Sequence, residues 1–168
     1  MTVLETARLR LVPLAERHIP AYQAFLASPR AAAQGWAAMP HEAWRSFAAM
    51  MGHGLLRGFA PFVAEARDDG RVVGLCGPWW PDGQVEREIT WHIWPAADEG
   101  KGLAFEAAQA ALAHVFGRLG WQTAVSYIGF DNDRSAALAT RLGAVQDGTW
   151  TTPRGTQVRV FRHVRGAA

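Results

Sequence analysis

The hydrophobic positions of this chain follow two different periods, and the changes between them divide the sequence into strands and helices. Stretches in which apolar and polar residues alternate predict seven strands: 7–14, 60–67, 72–80, 84–94, 122–130, 144–152 and 156–164. Stretches with apolar residues three and four positions apart predict four helices: 15–28, 41–56, 104–119 and 132–143. Turn sequences such as DDGR, PDG and PRG separate neighbouring strands.

The order of these elements predicts an α+β protein. One strand and two helices come first, three antiparallel strands follow, and a helix, a strand, a helix and a hairpin complete the chain. The step from strand 84–94 through helix 104–119 to strand 122–130 is a parallel crossover, so the sheet of seven strands is mixed but mainly antiparallel. No repeat or linker interrupts the pattern, and we expect a single domain, 1–168.

Composition narrows the class of protein without identifying its chemistry. A net charge of +2 is too small to indicate nucleic-acid binding, and no run of about 18 apolar residues predicts a membrane span. The single cysteine, Cys76, excludes an internal disulfide, and the N-terminus lacks the features of a signal peptide, so we expect a cytoplasmic protein. The histidines have no metal-ligand spacing, so we expect no metal site.

The sequence WPAADEGKGLAFEA joins an apolar strand to a long helix and contains Gly100 and Gly102. Glycine costs about 0.5–1 kcal/mol against alanine inside regular structure, so this pair needs a reason. One reason is that the amides of residues 100–104, at a helix N-terminus, cradle a phosphate. The alternative is a tight turn that binds nothing. The G-x-G-x-x-G and P-loop patterns both fail, because Phe105 and Gly102 stand where those motifs need other residues.

Three segments together carry a family resemblance. They are LETARLRLVPL at 4–14, EGKGLAFEA at 99–107 and FDNDRSAALATRLGAVQDG at 130–148. In this order they resemble the GNAT superfamily of acyl-CoA-dependent N-acetyltransferases, and within it the ribosomal-protein N-terminal acetyltransferases of the RimJ/RimL type. The resemblance spans almost the whole chain. It implies the GNAT fold, with about four helices flanking the sheet, and acetyl-CoA as co-substrate without a metal.

The resemblance also implies a set of positions that bind coenzyme A. The family's loop R/Q-x-x-G-x-G/A places its glycines at Gly100 and Gly102, and the N-x-x-S motif falls on Asn132 and Ser135. The end of strand 84–94 would meet the acetyl and pantetheine parts. The residues implied to bind the cofactor are Ile93, Trp94, Gly100, Lys101, Gly102, Leu103, Ala104, Asn132 and Ser135.

Acetylation of an amine by direct attack on a thioester needs a base, support for the oxyanion and alignment of the substrates. Alternation along strand 84–94 puts Glu86, Glu88 and His92 on one face, which looks like the wall of an acceptor site. We predict Glu88 as the base, through a water, with His92 as the second candidate and Asn132 facing the pantetheine arm or the acceptor. The alternatives are a solvated or salt-bridged carboxylate at Glu88 and a partly buried, singly hydrogen-bonded histidine at His92.

Two positions depart from the family pattern. Ala97 stands where the loop has arginine or glutamine, in a stretch about one residue longer than usual, and Ala139 stands where many relatives have a tyrosine general acid. Two functions therefore stay open. One is an N-acetyltransferase acting on a primary amine, either a protein N-terminus or a small molecule. The other is a catalytically weak acyl-CoA-binding sensor or interaction module.

The expected partners are acetyl-CoA and an amine acceptor, with no membrane and no nucleic acid. An edge strand in the last hairpin permits a homodimer. A ping-pong route through Cys76 lacks an activating base nearby in the sequence, so we expect Cys76 to be a buried structural residue.

Overall fold

The computed structural model describes residues 2–166 of the chain. The strands are β1 (Leu4–Glu5), β2 (Leu9–Pro13), β3 (Phe62–Ala66), β4 (Val72–Trp79), β5 (Glu88–Ile93), β6 (Thr123–Gly129), β7 (Val145–Thr151) and β8 (Gln157–Val164). The α-helices are α1 (Ile19–Leu26), α2 (Pro29–Ala33), α3 (Pro40–Arg57), α4 (Leu103–Gly117) and α5 (Asp133–Arg141). Short 3-10 helices cover Glu16–His18 and Ala96–Asp98.

The strands of the described residues form one sheet in the order β1-β2-β3-β4-β5-β6-β8-β7. Every neighbouring pair is antiparallel except β5 and β6, which are parallel and are connected through α4. The predicted α+β architecture, with a mixed and mainly antiparallel sheet, is confirmed. β7 lies at one edge of this sheet, and its use in a homodimer stays a prediction.

The sequence pattern missed two short elements and misplaced one boundary. β1 has only two residues, too few for an alternation to show. α2 lies in the alanine-rich segment 29–40, where the sequence pattern predicts no helix or strand. The Ser28 hydroxyl caps it by accepting a bond from the Ala31 N–H at 3.3 Å. The strand predicted over 84–94 begins only at Glu88, because side-chain bonds to backbone carbonyls hold a turn before it.

Helices cover both faces of the sheet, and β5 contributes to both layers. α4 packs on β4 and β5 on one face, while α1 and α3 pack together on the other. Ile89 is fully buried beneath α4, whereas Trp94 is buried against α1. The alternation predicted for this strand is confirmed, because Trp91 packs on the α4 side and His92 stacks on Trp36 on the α1 side.

β5 and β6 separate after a single bridge. Glu88 pairs with Val125, and the Val125 N–H donates to the carbonyl of Arg87 at 2.9 Å. Further along, the Ile89 carbonyl accepts a bond from the Ser126 hydroxyl at 2.8 Å. Where the strands diverge, a side-chain hydroxyl thus replaces the backbone donor of a regular β-ladder.

The separation directs backbone groups of β5 into an opening. The Trp94 N–H donates to the Val73 carbonyl on β4 at 2.9 Å, and hydrogen-bonded pairs alternate along an antiparallel ladder. The N–H groups of Trp91 and Ile93 therefore point away from β4, into the gap beside β6. A ligand with carbonyl groups can pair with β5 there as an additional strand would.

Candidate active site

A cavity of about 590 Å³ lies where β5 and β6 separate. Its walls come from β5, the loop before α4, the first turn of α4, α5 and the segment around α2. Most predicted site residues line it: His92, Ile93, Gly100, Gly102, Leu103, Ala104, Asn132 and Ser135. Glu88, Trp94 and Lys101 do not line this cavity.

The loop before α4 turns through two glycines in the left-handed region. Gly100 has a φ of +72° and Gly102 a φ of +76°, a conformation that costs other residues roughly 1–2 kcal/mol. No described atom lies within 4 Å of a Cβ built on Gly100. The glycine at that position is therefore required by the backbone conformation and not by close packing.

This loop leaves several backbone N–H groups without an acceptor. The helical bonds of α4 begin with the Glu106 N–H, which donates to the Gly102 carbonyl at 3.1 Å, so the amides just before it precede the helical ladder. Within residues 2–166 the N–H groups of residues 100–104 have no acceptor. We call these five groups the amide cradle. They lie at the positive end of the α4 macrodipole and suit an anion.

A cluster of Thr6, Arg8 and Glu106, here called the clasp, fixes this loop. Glu106 Oε1 accepts bonds from the Thr6 hydroxyl at 2.6 Å and the Arg8 backbone N–H at 2.7 Å, and Oε2 accepts from Arg8 Nε at 2.7 Å. Arg8 Nη1 also donates to the Lys101 carbonyl at 2.9 Å. The sequence prediction missed the clasp, although its residues lie inside two of the segments that carry the family resemblance.

Lys101 forms an ion pair with a buried carboxylate that lines the cavity. Its Nζ lies 3.3 Å from Oδ1 of Asp98, which is only 3% exposed and also pairs with Arg71. Burial favours protonated Asp98, but the hydrogen bonds from Arg71 and Lys101 hold its pKa below the ordinary value. The Lys101 side chain is itself 55% exposed, and a contact from it to a cofactor phosphate stays a prediction.

Arg30, from α2, occupies the carbonyls at the end of β5. Its Nη1 donates to the Trp94 carbonyl at 2.6 Å and its Nη2 to the Ile93 carbonyl at 3.0 Å. The Trp94 N–H donates to the Val73 carbonyl on β4, and the Trp94 side chain is buried. The prediction that backbone groups of Trp94 meet the cofactor therefore needs correction, because Arg30 and β4 already occupy them, whereas Ile93 keeps its N–H.

Asn132 and Ser135 link α5 to the rest of the cavity. Asn132 Oδ1 caps α5 by accepting the Ser135 N–H at 3.1 Å, and its Nδ2 donates to Gln34 Oε1 at 3.3 Å. The Ser135 hydroxyl accepts the Trp91 indole N–H at 3.4 Å. The N-x-x-S motif thus positions three elements, and a direct catalytic role for Asn132 stays a prediction.

Glu88, Thr90 and His92 form a polar row along one face of β5. The Thr90 hydroxyl lies 3.4 Å from His92 Nε2, and Thr90 stands between His92 and Glu88 on this face of the strand. Burial raises the pKa of Glu88 to about 8, and the polar side chains of Gln84 and Thr90 oppose this rise without cancelling it. Burial lowers the pKa of His92 to about 4. At neutral pH both groups are therefore mainly uncharged.

The neighbouring carboxylate, Glu86, has a different environment. It accepts two bonds from Arg162, at 2.7 and 2.9 Å, and Arg162 also pairs with Asp147. Glu88 has no ion pair within the part of the chain that the structure describes. The salt-bridged alternative therefore applies to Glu86 and not to Glu88, while His92 fits its alternative of a partly buried histidine with one hydrogen bond.

The family assignment rests on a match to the Acetyltransferase (GNAT) domain over residues 8–145. The chain belongs to the GNAT acetyltransferase family. The crystal structure of an acetyltransferase from Agrobacterium tumefaciens str. C58 is 30% identical, with a TM-score of 0.89 over 98% of this chain and 95% of that one. The GNAT resemblance identified from the sequence is thus confirmed.

Two further solved structures share the GNAT fold at lower identity. RimL, a ribosomal alpha-N-protein acetyltransferase in complex with coenzyme A, is 16% identical, with a TM-score of 0.80 over 99% of this chain and 100% of that one. The aminoglycoside acetyltransferase AAC(6')-Ib in complex with coenzyme A is 18% identical, with a TM-score of 0.78 over 99% and 96%. Likeness at this level shows the fold alone.

The remaining candidates in this GNAT chain lie apart from the cavity. Cys76 is buried in β4, and burial raises the pKa of its thiol far above the ordinary value, which suits a structural residue and not a nucleophile.

Over residues 2–166, no three side chains of the His, Cys, Asp and Glu types lie grouped to hold a metal ion. In the same range no helix has the length and apolarity to cross a membrane.

The raised pKa of Glu88 predicts a pH dependence of stability that Glu88→Gln removes. Between the ordinary value of 4.5 and about 8, the carboxyl is ionised in the unfolded chain and protonated in the folded one. Its contribution is therefore complete below pH 4.5 and is lost as the pH rises through about 8. We expect the free energy of unfolding of the wild type, minus that of Glu88→Gln, to fall by up to about 5 kcal/mol over this window, at about 1.4 kcal/mol per pH unit.

Denaturant unfolding of both proteins at several pH values measures this difference. The histidines with lowered pKa values titrate alike in both proteins, so their contributions cancel. Parallel stability curves from pH 4 to 9 would show that the Glu88 pKa is not raised.

Proposed function

We propose that the chain transfers an acetyl group from acetyl-CoA to a primary amine by direct attack of the amine on the thioester. The observation that carries the proposal is the amide cradle, which opens into the same cavity as the strand edge of Trp91 and Ile93. An anionic diphosphate suits the first, and the amide-containing pantetheine arm suits the second. Membership of the GNAT family supports acetyl-CoA as the donor.

The residues present fit coenzyme A. The diphosphate would lie at the amide cradle, and the pantetheine arm would run along β5 with Asn132 and Ser135 on the facing helix. Bound acetyl-CoA supplies a thioester carbonyl for attack. Ala139, which is fully buried, stands at the tyrosine position and has no acidic group to protonate the thiolate. A thiol pKa near 8.5 lets the thiolate leave with little help.

Glu88 is the proposed base, acting through the polar row. Its pKa of about 8 is close to that of an α-amino group, about 7.7–8.0. The carboxylate form of Glu88, which becomes populated as the pH approaches this value, therefore accepts a proton from the ammonium form of such an acceptor at almost no cost. His92, with a pKa of about 4, is a weaker base by about four units, or roughly 5 kcal/mol. Because Glu88 does not line the cavity, the proton would pass through His92 and Thr90 or a water.

The proposed acceptor is a monoamine that carries an apolar or aromatic group. Negative charge beside the polar row is neutralised, at Glu86 by Arg162 and at Glu88 by its proton. Trp36 lines the cavity and stacks on His92 with ring centroids 4.4 Å apart. A protein N-terminus, as the RimL name indicates for that enzyme, suits these conditions better than a polycationic aminoglycoside.

An acyl-CoA-binding sensor or interaction module is the second candidate. Ala97 is exposed on the 3-10 helix Ala96–Asp98, which absorbs the extra length of the loop and gives no side chain to the cradle. Together with the buried Ala139, it favours a protein that holds coenzyme A thioesters and turns them over slowly. Binding without turnover of any amine distinguishes this candidate from the enzyme.

Calorimetric titration with acetyl-CoA, followed by steady-state kinetics, tests the proposed function. We expect micromolar binding, about −8 kcal/mol, in the wild type and in Glu88→Gln. Glu88→Gln should reduce kcat/KM for a peptide N-terminus by at least about 100-fold, the usual contribution of a general base, and should abolish the rise in rate with an apparent pKa near 8.

Thr90 provides the control for the route of the proton. Thr90→Val removes the hydroxyl that stands between Glu88 and His92 and should lower kcat with little effect on the dissociation constant of acetyl-CoA. Thr90→Ser keeps the hydroxyl and should retain most of the activity. Full activity in Thr90→Val would contradict the polar row as the path, and full activity in Glu88→Gln would contradict the base.

Two tryptophans offer a matched test of the acceptor class. Trp36, 39% exposed, lines the cavity, whereas Trp44, 53% exposed, lies on α3 and does not line it. Trp36→Ala should raise the KM of an N-terminal or arylalkyl amine about two- to tenfold, since one aromatic pair contributes about 0.5–1.5 kcal/mol. Trp44→Ala should leave it unchanged. Equal effects of both variants, or faster turnover of an aminoglycoside, would contradict the proposed class.

A further inference from the structure

The Glu99 carboxylate, next to the amide cradle in the chain, is shared by two arginines from different elements. Its Oε1 pairs with Nη2 of Arg30 from α2, and its Oε2 lies 2.6 Å from Nη1 of Arg134 on α5. All three residues line the cavity. A carboxylate thus joins two helices at the point where the cavity meets the cradle.

Glu99 is held in its ionised form there. Burial alone would raise its pKa, but the hydrogen bond from Arg134 and the charges of Arg30 and Arg134 hold the pKa below the ordinary value. Its side chain is 28% exposed and that of Arg30 31% exposed, so both are accessible to an incoming ligand. The ion pairs are therefore of the partly solvated kind, which contribute little and exchange easily.

The arginines have an alternative partner of the same chemistry. Phosphate, like carboxylate, accepts paired bonds from a guanidinium group, and a doubly charged phosphate does so more strongly. A diphosphate at the amide cradle would begin one residue after Glu99, within reach of Arg30 and Arg134. It would also repel the Glu99 carboxylate, because both carry negative charge in a partly buried site.

We propose that Glu99 is an internal substitute for phosphate, which the phosphate groups of coenzyme A displace from Arg30 and Arg134. This inference rests on the proposed function, since it assumes that coenzyme A binds in this cavity. Glu99 then sets the affinity for the donor: it keeps the two arginines occupied in the free protein and lowers the affinity for every phosphate-bearing ligand of the site.

Glu99→Gln, measured by calorimetry with coenzyme A, tests this proposal. The variant removes the charge and keeps the size, and we expect the dissociation constant to fall about three- to tenfold. Glu5→Gln is the matched control, because Glu5 also joins two arginines, Arg10 and Arg67, but lies on β1 at the edge of the sheet. It changes the net charge equally and should leave the affinity unchanged.

Shorter analogues of coenzyme A identify which phosphate group causes the change in affinity. S-acetylpantetheine lacks the phosphates, so its affinity should be the same in Glu99→Gln and the wild type. A gain for dephospho-coenzyme A equal to that for coenzyme A assigns the exchange to the diphosphate, and a gain for coenzyme A alone assigns it to the 3′-phosphate; both support the proposal. An unchanged or weaker affinity for coenzyme A, or an equal gain for S-acetylpantetheine, overturns it.

A second variant makes the test independent of the first. Arg134 is 69% exposed, so Arg134→Ala should fold normally. It should weaken coenzyme A binding more in the Glu99→Gln background, where the arginine is free for phosphate, than in the wild type. Equal losses in the two backgrounds contradict the exchange. Absence of coenzyme A binding in the wild type would instead remove the proposed function, which distinguishes the two failures.

Discussion

The site depends on one constraint, a set of backbone amides that the chain cannot satisfy by itself. Two glycines in the left-handed region precede α4, and the five N–H groups of residues 100–104 have no acceptor within residues 2–166. Backbone donors of this kind need a partner, from water or a ligand. The clasp of Thr6, Arg8 and Glu106 ties this loop to the N-terminal segment and holds it in this conformation. The N-terminal segment and the start of α4 therefore act as one unit.

The separation of β5 and β6 gives this cradle its cavity. A regular ladder between the two strands would fill the gap and satisfy the N–H groups of Trp91 and Ile93. The divergence after the Glu88–Val125 bridge instead leaves them for a ligand. In the proposed function, the same six-residue strand would present its backbone edge to the donor and, because its side chains alternate, the polar row to the acceptor. Donor and acceptor can thus be aligned by one rigid element, which is the larger part of what this chemistry requires.

Local patterns predicted the fold class, the alternation of β5 and the glycine loop, because each depends on residues close in sequence. The positions around Gly100 and Asn132 came from the family resemblance. The clasp could not be read from spacing, since Arg8 and Glu106 are far apart in the chain and meet only after the sheet has formed. Arg30 and Glu99 likewise meet only in the folded chain. The bonds of Arg30 also correct the role predicted for the backbone of Trp94. The raised pKa of Glu88 likewise depends on burial that alternation alone does not reveal.

Amide hydrogen exchange, followed residue by residue with and without coenzyme A, tests the central claim most directly. In the free protein the amides of residues 102–104 should exchange fast for a helix start, since they have no acceptor within the described chain. Coenzyme A at saturating concentration should slow these amides together with those of Trp91 and Ile93, and should leave the clasp-bonded Arg8 amide unchanged. Saturating coenzyme A that left the cradle amides as fast as before would contradict the account, because the diphosphate would then lie elsewhere.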